Sequence, residues 1–353
     1  MKISKSSDFN IIITVNIIQK QDIGDFVNHF KLRDEVRGRS FLITGVTGLI
    51  GSTLVHCLLA VDKRIKIIAP VRNINKAVCA LGEDATLVDL IACDIVSFDY
   101  ETIGNVDYII HCAAPTASKY FIEKPVETFN IIVDGTRVLL EYATRHKTKG
   151  FVYLSSLEVY GEIHDDSIPV DENVQGYLDP ISVRSSYPMA KRAVENLCVL
   201  YASEYHVPVK IARLTQTTGA GIAKDDNRVI AQFARLAANG QDIILHTEGE
   251  SARPYCYITD CIEAILFILL KGDKGEAYNV ANEDTYISVK DMADFVRQKI
   301  CPSINIRMEL DNPQEYAPPT KLRLSTEKLR GLGWKPRHDL MTIFIKLIDY
   351  LTL

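Results

Sequence analysis

The sequence lacks the features that mark disulfide-rich, metal-binding and nucleic-acid-binding proteins. Its 8 cysteines include no C-x-x-C pair, and no His/Cys cluster has the spacing of a zinc site. This pattern is typical of free thiols in a reducing compartment, so we expect a cytoplasmic protein without a metal site. The formal net charge is −5 and no basic block is present, which argues against a nucleic-acid partner.

Long hydrophobic runs are also missing. The most apolar stretch near the start, residues 9–18 (FNIIITVNII), is interrupted by polar residues and is too short to span a bilayer. Charged residues follow it where a signal peptide has small cleavage-site residues, so we expect neither a leader nor a membrane partner. We interpret residues 1–36 as an N-terminal extension, a strand-like segment followed by a short amphipathic helix. The helix has four apolar side chains on one face: Ile23, Phe26, Val27 and Phe30.

The chain is organised around residues 39–53, RSFLITGVTGLIGST. Residues 40–44 predict a short buried strand, and apolar residues at helical spacing follow a glycine-rich turn. Strand, glycine turn and helix in this order place a pyrophosphate on a helix N-terminus, where free N–H groups and the helix dipole favour negative charge. An ordinary strand–turn–helix connection is the alternative. The candidate cofactor-binding residues of this turn are Gly45, Thr47, Gly48, Leu49, Ile50 and Gly51.

The next two strands offer contacts for the adenosine end of a dinucleotide. Residues 65–69 predict the second strand, but Arg72 stands where an acidic residue would bind the ribose hydroxyls. An arginine there suits the 2′-phosphate of NADP or stacks on adenine, and a solvated surface arginine is the alternative. Residues 86–92 predict the third strand. Behind it, Asp94 either accepts a hydrogen bond from the adenine amino group or caps the next helix, and we count the adjacent Ile95 as a cofactor contact.

The fourth and fifth strands complete the predicted sheet. Residues 107–112 predict the fourth strand, and the small residues Ala113 and Ala114 behind it would let the backbone approach the cofactor. We expect His111 to be structural, because no acidic partner for it is evident. A long helix over 125–146 and a fifth strand over 150–154 follow. Strands alternating with helices indicate an α/β fold with a Rossmann-type, doubly wound parallel sheet of right-handed βαβ units.

Three residues form a candidate catalytic group. Ser156 follows the fifth strand, at the end of a parallel sheet where ligands bind. Lys191 stands four residues after Tyr187, so on a helix their side chains share one face. A phenol is a poor base at neutral pH, and we expect the nearby ammonium to lower the pKa of Tyr187 enough for proton transfer.

With these motifs in place, the chain resembles the extended short-chain dehydrogenase/reductases that act as nucleotide-sugar epimerases, dehydratases and decarboxylases. The motifs are GVTGLIG (45–51), HCAAP (111–115), YLSSLEVYG (153–161), SSYPMAK (185–191) and RPYCYITD (253–260). The resemblance implies NAD as cofactor, a nucleotide-sugar substrate and hydride transfer at sugar C4, with Ser156, Tyr187 and Lys191 as the catalytic triad. It also implies a homodimer formed through the helices at 125–146 and 187–205.

The step that follows oxidation is left open between several reactions. Leu157 stands where the dehydratases of the family have an acidic residue, which disfavours 4,6-dehydration. Glu158 and Arg184 match residues of the nucleotide-sugar uronate decarboxylases, in which the 4-keto group is the electron sink and an arginine can orient the carboxylate. Residues 217–221 lack the Pro-Arg of those decarboxylases. A 4-epimerase or an NADPH-dependent 4-ketoreductase is therefore also expected to fit.

The C-terminal third is predicted to bind the substrate. The start of a helix over 227–240, with Asn227, could meet the substrate diphosphate, and Arg253 matches a family arginine that binds nucleotide phosphate. A strand over 242–245, a helix over 260–270, a short strand at 278–280 and a helix capped by Ser288 are predicted next. We expect a dinucleotide-binding domain over 37–213 and a smaller, interleaved substrate-binding domain over 214–353. A non-catalytic dinucleotide-binding protein would have lost the glycines or the Tyr/Lys pair, and neither is lost.

Overall fold

A seven-stranded parallel sheet forms the centre of the computed structural model, which describes residues 15–115, 118–310 and 319–353. The strands are β1 Ser40–Thr44, β2 Lys66–Val71, β3 Val88–Ala92, β4 Tyr108–His111, β5 Gly150–Ser156, β6 Val209–Leu214, β7 Gln216–Thr218, β8 Ile243–Leu245, β9 Ala252–Tyr257, β10 Ala277–Val280, β11 Asn282–Ser288 and β12 Ile306–Met308. The large sheet has the order β10-β6-β5-β4-β1-β2-β3. The predicted Rossmann-type α/β fold is therefore confirmed.

Twelve α-helices lie in the described part of the chain. They are α1 Ile17–His29, α2 Arg33–Val36, α3 Leu49–Val61, α4 Ile74–Leu81, α5 Ser118–Glu123, α6 Pro125–His146, α7 Ser186–Glu204, α8 Val229–Ala238, α9 Ile258–Lys271, α10 Val289–Phe295, α11 Glu327–Gly331 and α12 Leu340–Thr352. The predicted long helix over 125–146 is confirmed at both ends. None of the helices described is both long and apolar enough to cross a membrane.

The chain order reverses between β1 and β4, which lie side by side at the middle of the sheet. β1, β4 and β5 are in register there, with Thr44 opposite His111 and His111 opposite Tyr153. All three strands run in the same direction, so the loops behind them open at one edge. Ligands of open α/β sheets bind in the crevice at such a switch point. The glycine turn and Ser156 both lie at this edge.

Most predicted strands are confirmed, with boundaries that shift by up to two residues. The third strand begins at Val88, two residues later than predicted, because residues 82–87 form a 3₁₀ helix. Gly82 starts that helix with a φ of 53°, a conformation that suits glycine. The fifth strand extends to Ser156, so the candidate catalytic serine is the last residue of the strand.

The N-terminal extension contributes a helix that packs on the body of the protein. Helix α1 begins at an Asn16 capping box and buries Phe26 and Phe30, whose rings stack 5.0 Å apart. It contacts α3, α9 and α12. The predicted amphipathic helix is therefore confirmed, but it already begins at Ile17, inside the segment interpreted as strand-like. The remainder of that segment, residues 9–14, lies outside the described residues.

The C-terminal third forms two small sheets, β11-β9-β7 and β12-β8, and returns one strand, β10, to the large sheet. The predicted strand at 242–245, helix at 260–270 and short strand at 278–280 are confirmed within two residues as β8, α9 and β10. The predicted Ser288 cap is confirmed, because its side chain accepts a hydrogen bond from the Asp291 N–H. Helix α8 starts at Val229, which leaves Asn227 outside it.

The glycine turn gives a direct test of the fold. A Cβ on Gly51 would lie 2.3 Å from the Gly45 carbonyl oxygen, whereas one on the exposed, helical Gly24 would meet no atom within 4 Å. We expect Gly51→Ala to lower the free energy of unfolding by about 1–3 kcal/mol. Gly24→Ala should raise it by about 0.5–1 kcal/mol. Urea unfolding of both variants measures this difference, and equal effects would contradict the close approach of Gly51 and Gly45.

Candidate active site

The glycine turn forms an open cradle at the N-terminus of α3. Gly45 has a φ of 75°, and a Cβ there would lie 2.8 Å from the Ala113 backbone nitrogen, so only glycine fits. Gly48 is the N-cap of α3, and no side chain caps the helix. The N–H groups of the first turn, which contains Leu49, Ile50 and Gly51, therefore have no side-chain acceptor. Such a helix start suits the diphosphate of a dinucleotide, so the predicted residues fit this cofactor.

The backbone behind β4 lies against this turn. Ala113 donates its N–H to the Thr44 hydroxyl oxygen at 3.1 Å, and Thr44 is also 2.7 Å from Nδ1 of His111. Burial, with a contribution from the nearby Lys191, lowers the pKa of His111 to about 3. The imidazole is therefore neutral at physiological pH. A structural role for His111 follows from these contacts.

The predicted adenosine contacts lie at the same edge, further along the sheet. Arg72 is exposed directly behind β2. Asp94 is exposed, and its Oδ1 accepts a hydrogen bond from the Val96 N–H at 2.9 Å, so its carboxylate closes a local turn. The alternative that Asp94 caps the next helix is wrong, because Asp99 is the N-cap of the 3₁₀ helix Tyr100–Ile103 that follows. The side chain of Ile95 points toward α6, where a Cβ on Gly135 would approach it to 2.8 Å.

Tyr187 is buried at the start of α7. Its ring stacks on Phe121 with centroids 4.3 Å apart and an interplanar angle of 9°. Burial raises the pKa of the phenol, and the negative charge of Glu158 raises it further. The nearby Ser156 hydroxyl and the positive charge of Arg184 act in the opposite direction. Ser156 and Tyr187, predicted to act together, are therefore neighbours in the structure.

The expectation that Lys191 lowers the pKa of Tyr187 is wrong for this structure. The Lys191 ammonium donates a hydrogen bond to the Leu154 carbonyl oxygen at 2.6 Å, and Nζ lies 4.6 Å from the Tyr153 ring centroid and 5.7 Å from that of Tyr187. Burial lowers the pKa of Lys191 itself to about 7, against the charge of Glu195. The cause is desolvation, which penalises the charged forms of both side chains and which the four-residue spacing could not reveal.

A buried carboxylate joins α7 to the end of β5. Glu195 accepts a hydrogen bond from the Ser155 hydroxyl at 2.5 Å and is held by Arg213 through Nε and Nη2, the shorter contact being 2.7 Å. Arg213 also donates to the Tyr160 hydroxyl at 3.1 Å, and Tyr160 donates to Oδ1 of Asn279 at 2.6 Å. These bonds fix the segment that follows Ser156.

The sequence contained two signals for this network that the interpretation of the motifs did not use. Glu195 stands four residues after Lys191, so it continues the face of α7 that carries Tyr187. Arg213 lies in the buried strand β6, VKIARL, where an unpaired charge would be costly. A buried arginine needs a carboxylate partner, and the structure shows that this partner is Glu195.

Glu158 and Arg184 form a half-exposed ion pair beside this group. Arg184 Nη2 lies 3.1 Å from Glu158 Oε2, and the guanidinium stands over the Phe121 ring at 5.3 Å. Because Phe121 stacks on Tyr187, the pair lies close to the phenol. Leu157 is buried next to Ser156 and offers no acidic group. The arrangement combines a carboxylate, a guanidinium and a phenol that can take or give a proton.

Two predicted substrate residues are not brought to this group by any contact of the described residues. Asn227 is exposed ahead of α8. Arg253 lies in β9, opposite Ile287 of β11. Arg228 was missed by the sequence interpretation, although it pairs with Asp226 and donates to the Thr217 carbonyl oxygen at 2.7 Å. No group of three or more potential metal ligands occurs among the residues that were described.

The buried lysine predicts a specific dependence of stability on pH. The pKa of Lys191 is about 7 in the folded protein, against an ordinary value of 10.5. Between these values the unfolded chain binds a proton that the folded protein does not, so stability rises with pH, by about 1.4 kcal/mol per unit. Below pH 7 both states are protonated and this contribution is constant. We expect the wild type to gain free energy of unfolding relative to Lys191→Met as the pH rises from 7 to 10, because the methionine variant has no proton to lose at this position. Urea unfolding of both proteins across this pH range measures the difference. A pH-independent difference would contradict the buried ammonium.

Comparisons with known proteins agree with this geometry. Residues 41–281 match the model of the NAD dependent epimerase/dehydratase family. The chain is 31% identical over 307 residues to UDP-glucuronic acid decarboxylase 5 of Arabidopsis thaliana, covering 85% of each chain. It is 26% identical to UDP-glucuronic acid decarboxylase 1 of Danio rerio, covering 91% of this chain and 74% of the relative.

Solved structures show the same fold. UDP-glucose 4-epimerase of Thermotoga maritima, solved with UDP-glucose, superposes with a TM-score of 0.75 at 22% identity over 89% of this chain and 98% of its own. UDP-glucuronic acid 4-epimerase of Bacillus cereus, solved with NAD, gives a TM-score of 0.69 at 22% identity over 89% of this chain and 96% of its own. The resemblance drawn from the motifs is confirmed. The chain belongs to the NAD dependent epimerase/dehydratase family, and it is an enzyme whose cofactor is NAD.

Proposed function

We propose that this enzyme remodels a nucleotide-activated sugar by hydride transfer at C4 through a 4-keto intermediate. Decarboxylation of a UDP-uronate and epimerisation at C4 are the two reactions that we favour. The observation that carries the proposal is the closeness of Ser156 and Tyr187 at the carboxyl edge of the sheet, with the Glu158–Arg184 pair beside them. The decarboxylase relatives at about 30% identity over 85% of the chain support the choice of substrate class.

In the first step, Tyr187 takes the proton of the C4 hydroxyl while Ser156 holds the same oxygen. The nicotinamide of NAD supplies a hydride acceptor when it is bound and returns the hydride at the end. Lys191, whose ammonium donates a hydrogen bond to the Leu154 carbonyl oxygen at 2.6 Å, is the residue that we propose to bind the nicotinamide ribose. Loss of this proton together with the hydride on C4 turns the C–O bond into a carbonyl, so oxidation and proton transfer are coupled.

The Glu158–Arg184 pair supports decarboxylation as the following step. A guanidinium binds a carboxylate through two parallel hydrogen bonds, so Arg184 can hold the C6 carboxylate of a uronate. The C5–C6 bond then breaks, its electrons move into the 4-keto group, and CO₂ leaves. A proton must next be added at C5, and Glu158 is the acidic group that we propose for this transfer. Leu157 leaves no acid for expelling a C6 hydroxyl, which disfavours dehydration.

Two observations favour other reactions of the same site. The loop at 217–221 lacks the Pro-Arg of the decarboxylases, which supports a 4-epimerase, in which the ketone rotates and is reduced on its other face. Arg72 is exposed behind β2, where it could bind a 2′-phosphate, and this supports an NADPH-dependent 4-ketoreductase.

We also propose a homodimer formed through α6 and α7, in the cytoplasm. The two helices pack against each other, and their outer faces leave large apolar side chains exposed. These side chains are Val126 and Phe129 on α6 and Val199 and Leu200 on α7. Covering such a face is favourable because it removes apolar surface from water. The eight free cysteines support a reducing compartment.

Replacing the phenol tests the assignment of the acid/base. We expect Tyr187→Phe to reduce kcat by about 10²–10⁴-fold, the usual contribution of a positioned acid or base. NAD binding should change little, because the substitution removes only a hydroxyl. Tyr201→Phe, further along α7, is the matched control and should keep full activity. Turnover of Tyr187→Phe at the wild-type rate would show that another group moves the proton.

A panel of nucleotide sugars identifies the reaction. The protein is incubated with UDP-, dTDP-, CDP- and GDP-sugars, uronates included, and the products are analysed by mass spectrometry and NMR. We expect a UDP-uronate to yield a product lighter by one CO₂. An unchanged mass with altered sugar couplings would indicate epimerisation, and a gain of two hydrogens with consumption of NADPH would indicate reduction. Loss of one water would contradict the argument from Leu157.

A further inference from the structure

Helix α1 lies ahead of the residues that match the family model. That match begins at residue 41, whereas α1 covers Ile17–His29. Helix α1 is not a loose appendage, because it contacts α3, α9 and α12 and contains a carboxylate, Asp22, that is 2% exposed.

The N-terminal end of α1 lies against the loop behind β7, close to the glycine turn. Gly221 in that loop has a φ of 107°, and a Cβ there would lie 2.8 Å from Nε2 of Gln19 and 3.2 Å from Cδ1 of Leu49. Leu49 is the first residue of α3. Gly221 is thus enclosed between α1 and the start of the helix that forms the cradle. The missing side chain at Gly221 leaves the space that Gln19 of α1 occupies.

Asp22 connects α1 to the same loop by hydrogen bonds. Its Oδ2 accepts a hydrogen bond from the Tyr257 hydroxyl at 2.5 Å, and its Oδ1 accepts one from Lys346 Nζ at 2.6 Å. Tyr257 also lies against the loop itself, because it is opposite Thr218 in the β7–β9 pair and a Cβ on Gly219 would lie 3.1 Å from its Cε2. On the other side, Tyr350 of α12 donates to the Ile222 carbonyl oxygen at 3.2 Å. Residues 218–222 are therefore held by groups from three separate parts of the chain.

We propose that Asp22 is a positioning residue for the NAD site, which holds residues 219–222 against the first turn of α3 through Tyr257. A buried carboxylate with two partners keeps a fixed position, because breaking either contact would leave a desolvated charge. Leu49, in contact with that loop, carries one of the backbone N–H groups that we assign to the cofactor diphosphate. When the loop is no longer held, a smaller fraction of the molecules has the cradle in the arrangement that binds NAD. The apparent affinity for NAD falls in proportion to that fraction.

The test measures NAD binding to the full-length protein without any sugar. We expect Asp22→Asn to weaken NAD binding about tenfold, which corresponds to about 1.4 kcal/mol. Tyr257→Phe should weaken binding to a similar extent, and the double variant should be no weaker than the single ones, because both act through one hydrogen bond. Asp22→Asn leaves the Lys346 ammonium without its carboxylate partner, and the double variant Asp22→Asn with Lys346→Met removes that charge. We expect the double variant to bind NAD as weakly as Asp22→Asn alone. Isothermal titration with NAD reports all four affinities.

Phe30→Leu is the matched control. Phe30 is buried at the far end of α1, where its ring stacks on Phe26 and lies away from Gln19 and Asp22, the residues that contact the loop and Tyr257. It should lower the melting temperature and leave the NAD affinity unchanged. Wild-type affinity in both Asp22→Asn and Tyr257→Phe would overturn the proposal, as would an equal loss in Phe30→Leu. If Asp22→Asn does not fold, Tyr257→Phe decides the result. Because no sugar is present, the outcome does not depend on which reaction the enzyme catalyses.

Discussion

The packing of one face of α7 on the end of β5 determines the geometry of this active site. Tyr187, Lys191 and Glu195 follow one another at single-turn spacing, and each contacts the segment from Leu154 to Ser156. The contact needs charge compensation, since both Lys191 and Glu195 lie in an environment that excludes water. Arg213 neutralises Glu195, and the Leu154 carbonyl solvates the ammonium. A buried charge network with every partner satisfied specifies one register of helix on strand.

Much of the fold could be predicted from local sequence. The glycine spacing, the alternation of apolar strands with helices and the Pro125 start of α6 are properties of short segments, and the structure reproduces them. The positions of Ser156 and Tyr187 could be predicted for the same reason, because both are fixed by elements with clear periodicity. The shifted start of β3 shows the limit: a 3₁₀ helix opened by a glycine leaves little trace in a pattern of apolar residues.

The electrostatic properties of the site could not be predicted from spacing. A lysine four positions after a tyrosine on a helix indicates that the two side chains share a face, but their pKa values depend on how much water each one loses. The structure buries both, so the pKa of Tyr187 rises and that of Lys191 falls. Contacts between distant segments, such as Glu195 with Arg213 or Asp22 with Tyr257, are likewise absent from any local pattern.

The hydrogen bond between Asp22 and Lys346 joins residues that are 324 positions apart. During synthesis, α1 leaves the ribosome long before the ammonium that completes its buried carboxylate. Strands β1 to β6 all precede Lys346 in the chain, so they can pair before this junction closes. Long-range contacts of this kind slow folding, and the Asp22 carboxylate obtains its ammonium partner only after α12 has been synthesised.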